Sequence, residues 1–305
     1  MNGIVKTEFN APAAEKRMRT DKWPAFAPLL ILPMLALLLK TSVPRWAFMW
    51  TMAFAIFAGC KWLTWCQAES HIPAWRSRAY LFLWPGLNAK EFLGDQVVVR
   101  RPGLLPWTGA LAKTLFGGIL LWAIARQALP VSELLAGWCG LLGLVFLLHF
   151  GIFHLLALLW QNSGLNAQPL MRAPILATSL AEFWGKRWNS AFSDLARGNI
   201  FKRCGRRFGV GGTMLLVFAV SGFVHELVIS VPAGAGYGLP TLYFLFQGIG
   251  LLFERSRTGR TLGLQGGFTG WCFTVLVVAA PAFWLFHPPF VLRVIIPFMR
   301  SIHAL

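Results

Sequence analysis

The stretch GVGGTMLLVFAVSGFVHELVISV, Gly209 to Val231, is long and apolar enough to cross a bilayer, yet it carries His225 and Glu226 well inside it. About 20 helical residues span a hydrocarbon core of roughly 30 Å. An ionisable side chain within such a span costs roughly 2.5 to 3.5 kcal/mol on insertion scales, which makes each one a candidate functional position. On a helix Ser221 lies one i, i+4 step from His225, and Gly222, Glu226 and Ser230 continue an adjoining row. Small and polar side chains therefore gather on one face, and that face is expected to meet a protein-lined cavity. Two readings stand side by side. Either the pair fixes the bundle by hydrogen bonds to neighbouring helices, or His225 is an imidazole that takes a proton near neutral pH.

Comparable apolar stretches recur at 25–39, 46–65, 107–125, 133–160, 239–254, 268–286 and, less sharply, 290–303. The reading is an all-α polytopic membrane protein of seven or eight transmembrane helices. The composition agrees: 56% of the 305 residues are hydrophobic and only 13% charged, with mean hydropathy +0.60, too apolar for a soluble domain. Residues 1–22 are polar and read as a retained cytoplasmic tail, followed by one membrane domain over 23–305.

The chain has 28 Lys and Arg against 11 Asp and Glu, a formal charge of +17. In a membrane protein this excess sets topology, so no nucleic-acid partner is expected. The segments 66–106, 161–208 and 255–267 carry most of the cations, including Lys202, Arg203, Arg206 and Arg207, whereas the alternate connections hold Lys40, Arg45 and Arg126. Basic loops stay cytoplasmic, which predicts a cytoplasmic N terminus. Both of the longer basic segments also contain bulky aromatics and are expected to form interfacial or re-entrant helices.

Several chemistries lack their residues. His149 and His154 are five apart, not an i, i+4 metal pair, and aspartate is limited to Asp21, Asp95 and Asp194, with no aspartate-rich box for magnesium. The five cysteines are scattered without a CxxC pair, so neither a zinc site nor a disulfide framework is indicated. No metal and no cofactor are expected.

The segment EFWGKRWN, Glu182 to Asn189, followed by SGFVHELVISVP, Ser221 to Pro232, resembles the signature of the membrane-bound O-acyltransferase (MBOAT) family. In that family an aromatic-rich motif ending in Asn precedes an apolar helix bearing the catalytic His. The first string is most similar to the wax synthase, or long-chain-alcohol O-fatty-acyltransferase, branch. AYLFLWPGLNAKEFL (79–93) and HPPFVLRVIIPFM (287–299) look like flanking segments of the same proteins.

The resemblance implies a helical bundle with an internal tunnel, acyl-CoA as co-substrate, a lipophilic alcohol as acceptor and membrane lipids as surroundings. The catalytic pair would be His225, the general base, and Asn189. Trp184, Trp188, Arg187, Glu226 and Gln247 are candidate substrate contacts. A long-chain fatty alcohol giving a wax ester is the leading acceptor, with diacylglycerol, sterol or terpenoid alcohols as alternatives. A non-catalytic transporter or lipid-binding protein using the same polar face is the other class. The membrane would be a bacterial inner membrane or the endoplasmic reticulum.

Overall fold

The computed structural model describes residues 23–68, 72–94, 99 and 101–305; the expected tail 1–22 lies outside them. The described residues form helices and connecting segments, with no strand. Five helices are long and apolar enough to cross a membrane: α2 (Arg45–Cys66), α3 (Leu104–Ala128), α4 (Glu133–Asn162), α5 (Ser190–Ala233) and α7 (Gly267–Leu285). Before them comes the shorter α1 (Ala27–Leu38), and between the last two lies α6 (Leu239–Arg255).

Local chemistry starts and breaks these helices. Ser132 caps α4 by accepting from the Leu135 N–H. Gly103 precedes α3 and Gly238, in a left-handed conformation, precedes α6. α5 breaks at Gly209, whose φ of 66° and ψ of 178° no helix accommodates. Its limb 190–208 is thereby separated from the spanning limb 210–233. Large apolar side chains cover the outside of the bundle: Leu115, Ile119, Phe223 and Leu276 are all more than half exposed, which suits lipid and not water.

α3 and α4 touch backbone to backbone. A Cβ on Gly117 would run into the Leu147 nitrogen, and one on Gly143 would lie 2.8 Å from the Leu121 nitrogen. Small residues permit such approach where lipid supplies no hydrophobic drive between helices. Gly118, one residue on, faces open space.

The two ends of the bundle differ. One holds the long segments 72–94 and 163–208; there Lys61, buried in α2, donates to the Gly86 carbonyl at 2.6 Å and sits 3.3 Å from the centre of the Tyr80 ring. Trp160 donates to Leu83 O, and Trp271 to Ile175 O. The other end is tightly connected and crossed by a final helix, α8 (288–301), which follows His287. Phe298 packs on Trp46 and Trp50 at the start of α2, Arg293 donates to Ala233 O at the end of α5, and Arg300 pairs with Glu133 at the start of α4. Every one of these partners belongs to the same end.

The apolar stretch 290–303 therefore packs across one end of the bundle. Hydropathy alone cannot separate such a helix from a span, because Val291, Val294, Ile295 and Met299 are buried against protein. α6 has 17 residues, about 26 Å at 1.5 Å per residue. It does run from end to end, from the Gly238 turn to Glu254, whose carboxylate accepts from the Leu180 and Ala181 N–H groups at the loop-rich end.

Candidate active site

His225 sits at the end of the α-helical part of α5, immediately before a π-helical turn over Glu226–Ser230. Its Nδ1 lies 2.7 Å from the Ser221 carbonyl oxygen. A carbonyl only accepts, so in the neutral ring Nδ1 carries the hydrogen and Nε2 keeps its lone pair. Nε2 has no hydrogen-bond partner among the described residues. The imidazole lies against Phe244 of α6, ring centres 4.4 Å apart and planes tilted by 42°. Ser221 contributes its carbonyl; its hydroxyl turns back to Val217 O.

The segment Leu180–Arg187 enters the bundle from the loop-rich end. Ser179 caps its first turn by accepting from the Glu182 N–H, and the chain then widens into a π-helical turn over Phe183–Arg187, closed by Trp188 N–H donating to Phe183 O. Trp184 reaches the middle of the bundle. Its ring packs on Phe218 of α5 and Phe244 of α6, and its Nε1 donates to Gln247 Oε1 at 3.3 Å. Phe244 thus touches both Trp184 and His225, which joins the first motif to the second.

Gln247 is fully buried and donates its other amide end to Val277 O at 2.8 Å. It holds Trp184 between α6 and α7, and its surroundings are protein on all sides. Trp188 stacks on Phe183 and meets Phe150 of α4 edge-on. Arg187 pairs with Glu182 at 2.8 Å and donates to the carbonyls of Arg172 and Ala173. The Thr178 N–H beside it, with Arg187, holds the Glu182 carboxyl below the usual carboxylate range. These contacts fold the segment that presents Asn189.

Asn189 has φ 44° and ψ 63°, a left-handed conformation that Asn tolerates better than most side chains. Its backbone N–H points to Met171 Sδ, its carbonyl starts α5, and its side-chain amide makes no hydrogen bond among the described residues. Among the described residues no hydrogen bond joins Asn189 to His225.

Glu226 turns to α6. Its Oε1 accepts from Gly238 N–H, Thr241 N–H and Thr241 Oγ1 at 2.9 to 3.1 Å, capping a helix that begins with glycine. Its Oε2 is buried with no hydrogen-bond partner among the described residues. Glu226→Ala leaves the donors at the start of α6 unanswered, each costing about 1–3 kcal/mol. It is therefore expected to lower the thermal midpoint clearly more than Glu226→Gln, which keeps an accepting oxygen. Thermal unfolding in detergent checks this; equal losses in the two variants would show that the cap contributes nothing.

Lys202, Arg206 and Arg207 lie exposed on the limb 190–208, and the Arg203 guanidinium lies over the Phe26 ring. Sequence reasoning missed two parts of this region. Phe244 carried no signal beyond its i, i+3 spacing to Gln247. Lys61, a charge inside an apolar stretch, met the criterion applied to His225 and was passed over.

Residues 167–246 match the model of the membrane bound O-acyl transferase family, a match that contains both motifs. The long-chain-alcohol O-fatty-acyltransferase of Simmondsia chinensis is 31% identical over 141 residues, 42% of this chain and 40% of that protein. The probable long-chain-alcohol O-fatty-acyltransferase 7 of Arabidopsis thaliana is 31% identical over 138 residues, 41% of this chain and 40% of the relative. The acyl-CoA–sterol O-acyltransferase 1 of Arabidopsis thaliana is 29% identical over 140 residues, 42% of this chain and 40% of the relative. The aligned region spans about 40% of the length of these relatives.

Proposed function

We propose that this chain transfers an acyl group from acyl-CoA to the hydroxyl of a lipophilic alcohol, with a long-chain fatty alcohol as acceptor and a wax ester as product. The observation that carries the reading is His225: within the matched segment, its Nδ1 is tied to the Ser221 carbonyl and its Nε2 is left as an acceptor. Nε2 would take the acceptor's proton as the hydroxyl oxygen attacks the thioester carbonyl. The carbon–sulfur bond then breaks, and the thiolate recovers the proton as free thiol. No covalent enzyme intermediate and no cofactor are needed.

Asn189, whose amide offers two donors and one acceptor, would hold the thioester, and Glu226 Oε2, which has no hydrogen-bond partner among the described residues, would accept from the alcohol hydroxyl. Trp184, Trp188, Arg187 and Gln247 would shape the site without touching substrate. The protein would be integral to the membrane, with the loop-rich, basic end and the N terminus in the cytosol, where the coenzyme A head stays while the acyl chain enters the bundle.

The test uses the purified full chain in nanodiscs with radiolabelled long-chain acyl-CoA and, separately, hexadecanol, a diacylglycerol and a sterol. Thiol release with labelled hexadecyl ester is the expected result. Labelled ester from the sterol or diacylglycerol alone would overturn the acceptor assignment while keeping the chemistry. Release of neither thiol nor ester by folded protein would overturn both and favour a lipid-binding role.

A further inference from the structure

A general base that takes a proton inside a bundle becomes a cation in a place that disfavours charge. In many hydrolytic sites a carboxylate hydrogen-bonded to the histidine offsets that charge; among the described residues none bonds to His225, and the next residue, Glu226, acts on it only through space. Glu226 spends Oε1 on the start of α6, and neither of its oxygens bonds to the imidazole. Of the other described carboxylates, Glu133, Glu182 and Asp194 pair with Arg300, Arg187 and Arg197, Glu91 bonds with Asn88, and Glu254 caps the Leu180 turn. The group that does lie on the imidazole is the Phe244 ring, 4.4 Å between centres.

That ring is fixed from its other sides. Phe244 is buried, Tyr243 meets it edge-on at 5.2 Å, and Trp184 lies 5.8 Å away, held by Gln247. Tyr243 is anchored in turn through its hydroxyl to Val278 O. The face of an aromatic ring carries negative potential and attracts a cation within about 6 Å. A neutral imidazole gains little from it, whereas an imidazolium gains more, so the contact strengthens as the proton arrives. An interaction stronger in the transition state than in the ground state raises kcat and leaves KM alone.

We propose that Phe244 is a positioning residue for His225 that does the work of a hydrogen-bonded carboxylate: its ring face stabilises the imidazolium formed when Nε2 receives the acceptor's proton. The inference rests on the acyltransferase reading and adds to it the means by which the base holds its charge. Trp184 and Gln247 then serve by keeping Phe244 in place, which gives the first sequence motif a task at the second.

The experiment replaces Phe244 by phenylalanines bearing one, two and three ring fluorines, which weaken the ring's negative face with little change in size. Phe244→Leu is made beside them, and all are assayed in nanodiscs with the acceptor the wild type uses. Expected is a stepwise fall of kcat with each fluorine, reaching between about 2- and 30-fold over the series, with KM for both substrates and the thermal midpoint unchanged. A flat series overturns the proposal, because a packing role alone would be indifferent to fluorine. Should Phe244→Leu fail to fold, the fluorinated series decides alone. His225→Ala, run in the same assay, separates the two levels: inactive with a flat series, only the Phe244 assignment fails; active, the base reading fails with it.

Discussion

On the proposed reaction, His225→Ala is expected to reduce ester formation by about 10²- to 10⁴-fold, the range that a positioned general base supplies, while the protein still folds. Both halves of this expectation come from the geometry. The imidazole's one hydrogen bond is to the carbonyl of its own helix, Ser221, so removing the ring breaks no bond between helices. What is lost is the contact with Phe244 and the acceptor at Nε2. Steady-state thiol release and labelled ester, compared with the thermal midpoint of each protein, measure the two halves. A variant that kept turnover within tenfold of wild type would remove His225 from the chemistry, and one that lost turnover only through unfolding would make it a structural residue.

Gly117→Ala is the substitution expected to harm the fold most for the smallest change. The added methyl has no room: it meets the Leu147 backbone nitrogen and approaches the Gly143 carbonyl oxygen at 2.8 Å. Backbone of a packed helix cannot swing aside as a side chain does, so α3 and α4 must separate along their crossing. Overpacking of this kind costs about 1–3 kcal/mol or more, which the usual gain of Ala over Gly in a helix, roughly 0.5–1 kcal/mol, cannot offset. Gly118→Ala is the control. Nothing lies near its new methyl, so it should keep or raise the thermal midpoint. The yield of monodisperse protein and the midpoint in detergent should thus move in opposite directions for adjacent positions. Equal behaviour of the pair would mean that the two helices are not in backbone contact.

Much of the fold was legible because apolar length is a strong signal. α2, α3, α4, α5 and α7 each arise from a stretch that hydropathy singles out, and Trp184, in the second of the long basic segments, packs inside the bundle on Phe218 and Gln247. Candidate site positions stand out where chemistry differs from its surroundings: His225 in an apolar span, Asn189 behind two tryptophans. What the sequence did not show is partnership. Gln247 reads as a polar side chain in mid-span, but its amide is taken up by Trp184 and Val277. Glu226 points away from His225 as helical spacing requires, yet nothing local says that α6 is what it meets.

A π-helical turn runs over Glu226–Ser230, yet Ser230 still meets Gly236 O on the side where Gly222 and Glu226 face Thr241, and its hydroxyl also lies 3.4 Å from His287. For α8 hydropathy leaves the placement open. A helix buried across one end of a bundle and a helix in lipid are equally apolar, and only contacts to Trp46, Glu133 and Ala233 tell them apart.

The cap that Glu226 places on α6 has a consequence for how the chain is made. α6 begins at Gly238, a residue with no side chain to answer its own first N–H groups; a carboxylate from α5 answers them instead. A helix start with unanswered N–H groups costs about 1–3 kcal/mol for each buried one, so α6 is expected to hold its first turn better once α5, made before it, stands beside it with Glu226 in place. Neighbouring residues thus bear two tasks: Glu226 holds the start of α6, and α6 carries Phe244 to His225.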